Sequence, residues 1–257
     1  MQLGICGGPE IAPVAAAAGY DYIEINVASH LIGEAPEADF APILQQLRAC
    51  GLPCLAANVF VPGHLKITGP EVDFARLQRY VETVMVRAAQ VGLQAIVFGS
   101  GGARKIPDGF ARERAYDQLI AFGRMVAPLA ERHGVKIAVE PLNRSETNVL
   151  NSVAEGLQYV KDVDQPAFRL LVDGYHWARE NEPLADIVAA GPWLEHAHIA
   201  TYTQRLAPGA EACDFAPFLR ALAEAGYDKR LSIEGAWADM PTQAATAREI
   251  LLDKKSG

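Results

Sequence analysis

The chain has 257 residues, 50% of them hydrophobic, and a formal net charge of -8. That length suits one (β/α)8 barrel with a sizeable core, and the composition excludes a disordered or fibrous chain. The acidic balance argues against a surface that grips a nucleic-acid backbone, and no stretch approaches the ~20 uninterrupted apolar residues of a membrane span.

The chain opens Met1-Gln2-Leu3-Gly4-Ile5-Cys6, with no basic flank ahead of a long apolar run. Its four cysteines, Cys6, Cys50, Cys54 and Cys213, form no Cys-x-x-Cys pair and no dense framework. They read as thiols in a reducing compartment, so the expectation is a soluble, cytoplasmic protein.

Short apolar runs of strand length follow one another at 3–7, 22–27, 54–61, 95–99, 136–142, 168–173, 194–200 and 230–235. Between them lie segments of helical periodicity, clearest at 74–91 and 116–133. Gly19, Gly51, Gly92, Gly134 and Gly226 stand as stops before the next strand, where a left-handed helix cap is expected. Strict alternation implies parallel strands joined by right-handed crossovers. Eight such units predict a closed TIM barrel; the alternative is an open doubly wound sheet, for which no Gly-x-Gly-x-x-Gly follows the first strand. No linker or low-complexity stretch interrupts the pattern, so residues 1–257 read as a single domain.

Active sites of parallel barrels lie at the C-terminal ends of the strands. Within these runs the fifth strand, 136–140, ends in Glu140, the sixth, 169–173, in Asp173 and the eighth, 230–234, in Glu234, and the seventh, 194–198, carries His198 near its end. The two-residue period of a strand sends Glu140 inward with Ala138, Asp173 with Leu171, His198 with His196, and Glu234 with Ser232. Four consecutive strands thus deliver Glu, Asp, His and Glu to one rim. Three clustered carboxylates repel one another, and one divalent cation removes that repulsion. Oxygens plus one imidazole suit Mn2+ first, with Mg2+, Co2+ or Zn2+ also compatible.

These residues resemble the xylose-isomerase-like sugar isomerase/epimerase superfamily, and their arrangement is most similar to the ketose 3-epimerases. Glu140-Pro141-Leu142-Asn143-Arg144 followed by Glu146, Asp173-Gly174-Tyr175-His176, and His196-Ala197-His198 carry the resemblance. It is strong from the fifth strand to the eighth, and holds only as fold before that. The resemblance implies that Glu140, Asp173, His198 and Glu234 hold one metal and that Glu146, His176 and Arg205 contact substrate oxygens. An extra residue after His198 puts Gln204 where direct counting expects the arginine, but Arg205 keeps the spacing to Pro208-Gly209.

The implied activity is proton transfer by Glu140 and Glu234 next to the carbonyl of a ketose or related polyol, free or phosphorylated. Hydroxypyruvate isomerases and inosose or dehydroshikimate dehydratases are the alternatives of the same superfamily. An endonuclease IV-like repair enzyme would need a second ligand set, and only His198-Ile199-Ala200-Thr201 follows the seventh strand. A non-catalytic sugar-binding protein is the remaining alternative. The expected partner is a small sugar-like molecule, with homo-oligomerisation left open.

In the first half, His64 and Asn58 are candidates to face the substrate. Gly99-Ser100-Gly101-Gly102-Ala103-Arg104 reads equally as a cradle for phosphate or hydroxyls and as a flexible rim loop. Glu24 suits a structural hydrogen bond first, and otherwise a contact to substrate or to a site residue; Trp177 and Trp237 suit either walling the site or packing.

Overall fold

The structure is a computed structural model that describes residues 1–253; residues 254–257 of the expected domain lie outside the described part. Eight parallel strands close on themselves in chain order, which excludes the open sheet. They are β1 (Gln2–Cys6), β2 (Tyr22–Asn26), β3 (Cys54–Asn58), β4 (Ala95–Phe98), β5 (Lys136–Val139), β6 (Phe168–Asp173), β7 (Leu194–Ile199) and β8 (Arg230–Ile233). β1 pairs with β8 and completes the ring.

Helices cover the outside. Phe74–Val91 lays Leu77, Tyr80, Val81, Val84, Met85 and Ala88 against the strands, one apolar stripe at helical spacing. It ends at Gly92, whose φ of +93° lets its amide bond back to the Ala88 carbonyl at 3.0 Å. All five glycines expected as stops adopt positive φ. The second helix begins earlier than its periodicity suggests, at Arg112, and runs to Arg132.

Two strands end three residues short of their apolar runs. β3 stops at Asn58 because Val59 turns to a positive φ. β5 stops at Val139 because Pro141, two residues on, has no amide hydrogen to extend the ladder. Both breaks lift the chain at the mouth of the barrel. Inside, Val97, Ala138 and Leu171 form a small apolar plug separate from the outer core. The rest of the lumen is polar: the Tyr22 hydroxyl crosses to Ser232 Oγ at 2.7 Å. Gly4 leaves room for that ring, since an added Cβ would overlap it. Among the described residues no helix is long and apolar enough to cross a membrane.

Candidate metal centre and substrate pocket

Strand parity brings the four rim residues together. Ligand atoms of Glu140, Asp173, His198 and Glu234 all lie within 4.8 Å of one another. Asp173 pairs in register with His198, and His198 with Ser232, two residues before Glu234. His198 Nδ1 is 3.3 Å from Glu140 Oε1, 3.4 Å from Glu234 Oε2 and 3.9 Å from Asp173 Oδ2.

Beneath the rim, a buried carboxylate fixes the imidazole. Glu24 Oε1 is 2.9 Å from His198 Nε2, and Glu24 Oε2 is 2.7 Å from His196 Nε2 and 2.6 Å from Ser232 Oγ. An ionised carboxylate only accepts, so both Nε2 atoms carry their protons. The lone pair of neutral His198 is thereby left on Nδ1, facing the three rim carboxylates. A carboxylate behind a ligating imidazole is the usual support of a metal-binding histidine.

Asp173 divides its two oxygens. Oδ1 accepts from the amides of Tyr175 at 2.6 Å and His176 at 3.2 Å, capping the helix Gly174–Glu180. Oδ2 is buried, turned to the cluster, and has no hydrogen bond. A carboxylate oxygen left so is costly unless a cation completes it.

The electrostatics agree. Burial would depress the His198 pKa, but Glu24, Glu234 and Glu140 together lift it well above the usual imidazole range. Burial and the Glu234 charge raise Glu140. For Glu234 burial acts upward but His198 and Arg205 prevail, pulling it down to about 2. Three carboxylates thus crowd one imidazole at the rim, and a cation between them would relieve their repulsion. The donor set therefore fits a divalent cation.

The remaining expected residues divide into those at the site and those elsewhere. Arg205 Nη2 reaches Glu234 Oε2 at 2.5 Å and its Nη1 reaches Glu146 Oε1 at 3.2 Å, with the guanidinium 5.0 Å above the Tyr175 ring. Gln204 instead pairs with Glu211 on the surface. Asn58 Nδ2 donates to Glu234 Oε1 at 2.9 Å. His176 is buried, and its Nδ1 accepts from the Asn143 amide at 3.2 Å and Asn143 Nδ2 at 2.9 Å. Its proton is thus on Nε2, which has no partner. His64 is not brought to the cluster: it is exposed, 2.8 Å from Glu34, which also binds Arg76. Trp177 packs on Tyr202 and Phe218, and Trp237 packs against the core.

A cavity of about 350 Å3 opens over Glu140, Glu146, Arg205 and Glu234, with Asn58 and the 99–102 loop on its other side. The loop is held, not floppy: Arg104, fully buried, donates to the carbonyls of Phe98 at 3.0 Å and Glu140 at 2.7 Å. Gly99 is needed where it stands, because a Cβ there would overlap Glu140 Oε2. Arg104, Asn143 and the double role of Glu24 escape sequence reading, since their partners are set by the folded ring. Glu24 and the two histidines are 172 and 174 residues apart.

Its fold and its epimerase relatives make this chain a TIM-barrel enzyme of the isomerase class. The chain belongs to the xylose isomerase-like TIM barrel family, whose profile matches residues 12–254. It is 30% identical over 211 residues to D-psicose 3-epimerase of Agrobacterium fabrum, spanning 79% of this chain and 70% of that protein. It is 31% identical over 225 residues to L-ribulose 3-epimerase of Methylomonas sp., spanning 86% and 75%. The crystal structure of D-allulose 3-epimerase from Methylomonas sp. in complex with D-allulose superposes with a TM-score of 0.85 at 23% identity, covering 99% of this chain and 97% of that one.

Proposed function

We propose that this chain is a divalent-metal-dependent epimerase of keto sugars, in which Glu140 and Glu234 exchange a proton with the carbon next to the substrate carbonyl. The observation that carries it is the convergence of Glu140, Asp173, His198 and Glu234, with Asp173 Oδ2 buried and without a hydrogen bond. The epimerase names of the relatives and the D-allulose complex support the substrate class.

Those four residues would hold the cation, with Mn2+ our first choice for an oxygen-rich set and Mg2+, Co2+ or Zn2+ compatible with it. When bound, the cation supplies Lewis-acid polarisation of the carbonyl and the hydroxyl beside it. One of Glu234 and Glu140 accepts the proton from that carbon and the other delivers one to its opposite face. His176 donates its unpaired Nε2–H to a substrate oxygen, and Arg205 and Glu146 bind further hydroxyls. Asn58 keeps Glu234 aimed. The four free thiols support a reducing compartment such as the cytoplasm.

Incubating ketoses, inososes and their phosphates in D2O with Mn2+ tests this reading. Deuterium should enter at one carbon beside the carbonyl, with the product otherwise unchanged in mass. A product lighter by water would show dehydration in place of epimerisation, and absence of exchange on every sugar would refute proton transfer.

A further inference from the structure

Next to the cavity over Glu140 and Glu234 runs a second groove of about 400 Å3. Gly102 belongs to the walls of both. It faces Gly63: a Cβ added at Gly102 would meet only the Gly63 Cα, at 3.5 Å, and one added at Gly63 would meet only Gly102 backbone, at 3.8 Å. Neither residue has a positive φ, so the backbone demands glycine at neither position. Their missing side chains leave a low saddle between cavity and groove.

The saddle is rigid. Lys66 Nζ donates to the Gly102 carbonyl at 3.0 Å. The buried Thr68 hydroxyl sits 3.1 Å from the Arg104 carbonyl and 2.9 Å from that of Lys105. Arg104 in turn ties the same loop to the Glu140 carbonyl. The spacing from the groove to Glu140 is therefore fixed.

The groove's chemistry selects its occupant. Lys66 and Lys105 line the groove together with Glu71 and Asp108, so its formal charges sum to zero and a phosphate finds no net attraction. Mixed donors and acceptors suit hydroxyl groups, which both give and take hydrogen bonds. Pro70 and Pro107, both exposed, offer an apolar wall for the C–H face of a sugar ring.

We propose that the site takes a keto sugar bearing a second, uncharged sugar unit. The ketose lies over Glu140 and Glu234, and the second ring crosses the Gly63–Gly102 saddle into the groove between Lys105 and Asp108. Which ring reacts rests on the proton-transfer reading above; the binding rests on the groove.

Calorimetric titration in the presence of Mn2+ with fructose, and with isomaltulose (a fructose carrying glucose on its terminal hydroxyl), tests it. Isomaltulose should bind roughly tenfold more tightly than fructose or better. Replacing the exposed pair, Lys105→Ala with Asp108→Ala, should erase that advantage and leave fructose affinity within about twofold. Gly102→Phe should weaken isomaltulose binding by roughly tenfold or more. Isomaltulose binding no tighter than fructose, or an advantage that survives the groove variant, overturns the proposal. Failure of the proton-transfer reading looks different: isomaltulose would be preferred, yet neither sugar would take up deuterium.

Discussion

The half-barrel of β5 to β8 and the half-barrel of β1 to β4 share one hydrogen-bonded ring but furnish its mouth in opposite ways. β5 to β8 lead into Glu140, Asp173, His198 and Glu234. The ends of β1, β3 and β4 offer Cys6, Asn58 and Phe98, and β4 is followed at once by Gly99. The first half sends Glu24 inward, and that carboxylate goes beneath the rim to the histidines. Charge is thus gathered where a divalent cation together with Arg205 would offset three carboxylates, while the neutral half provides shape and access. A substitution in the charged half should change chemistry, and one in the neutral half should change fit or orientation.

The comparison is broken most severely by removing the charge of the proposed proton-transfer pair. Glu140→Gln or Glu234→Gln should lower turnover by about 10²–10⁴-fold while the circular dichroism spectrum stays that of the native barrel. Near-normal activity in both variants would show that the charged rim is not the reacting centre.

Glu24 sharpens the contrast, because it is the neutral half's contribution to the charged one. Glu24→Ala should weaken metal binding by about 10–100-fold, since the His198 ring loses the partner that directs Nδ1 to the rim. Turnover at saturating metal should fall less than affinity does. Equal metal affinity in the two proteins would mean that packing alone orients His198.

A smaller effect concerns stability in the charged half. Burial pushes the Glu182 carboxyl up to about 7, with Asp186 and Glu155 adding repulsion against the Val153 amide. Its folded value exceeds its ordinary 4.5, so the folded chain holds the proton over that interval. Stability from this group is therefore present at low pH and lost as pH rises from about 4.5 to about 7. Glu182→Gln should gain roughly 1 kcal/mol over the native chain at pH 8 and almost nothing at pH 4, allowing for solvent that reaches the carboxylate. Urea denaturation at the two pH values measures it; a pH-independent difference would contradict the sign.

Strand order and the inward set were legible because both follow from short-range rules. Alternation of strand and helix forces a parallel sheet, and a two-residue period puts Ala138 with Glu140 and Leu171 with Asp173 on the lumen side. Expected strand lengths were wrong at β3 and β5, where a positive φ at Val59 and the missing amide of Pro141 end the ladder inside an apolar run. Asp173, expected at the rim, also caps the following helix, and the structure gives one oxygen to each direction. Contacts closed across the ring were not legible: Arg104 to Glu140 and Asn143 to His176 depend on loops whose course no local pattern fixes. His64 looked suited to the pocket beside Gly63, but Glu34 draws it outward.

Titrating the metal-stripped protein with Mn2+ tests the central claim most directly. One ion should bind per chain, and Asp173→Asn or His198→Ala should weaken that binding by roughly 100-fold or more. A native chain that takes up no ion, or variants that bind it as tightly as the native chain, would contradict the account.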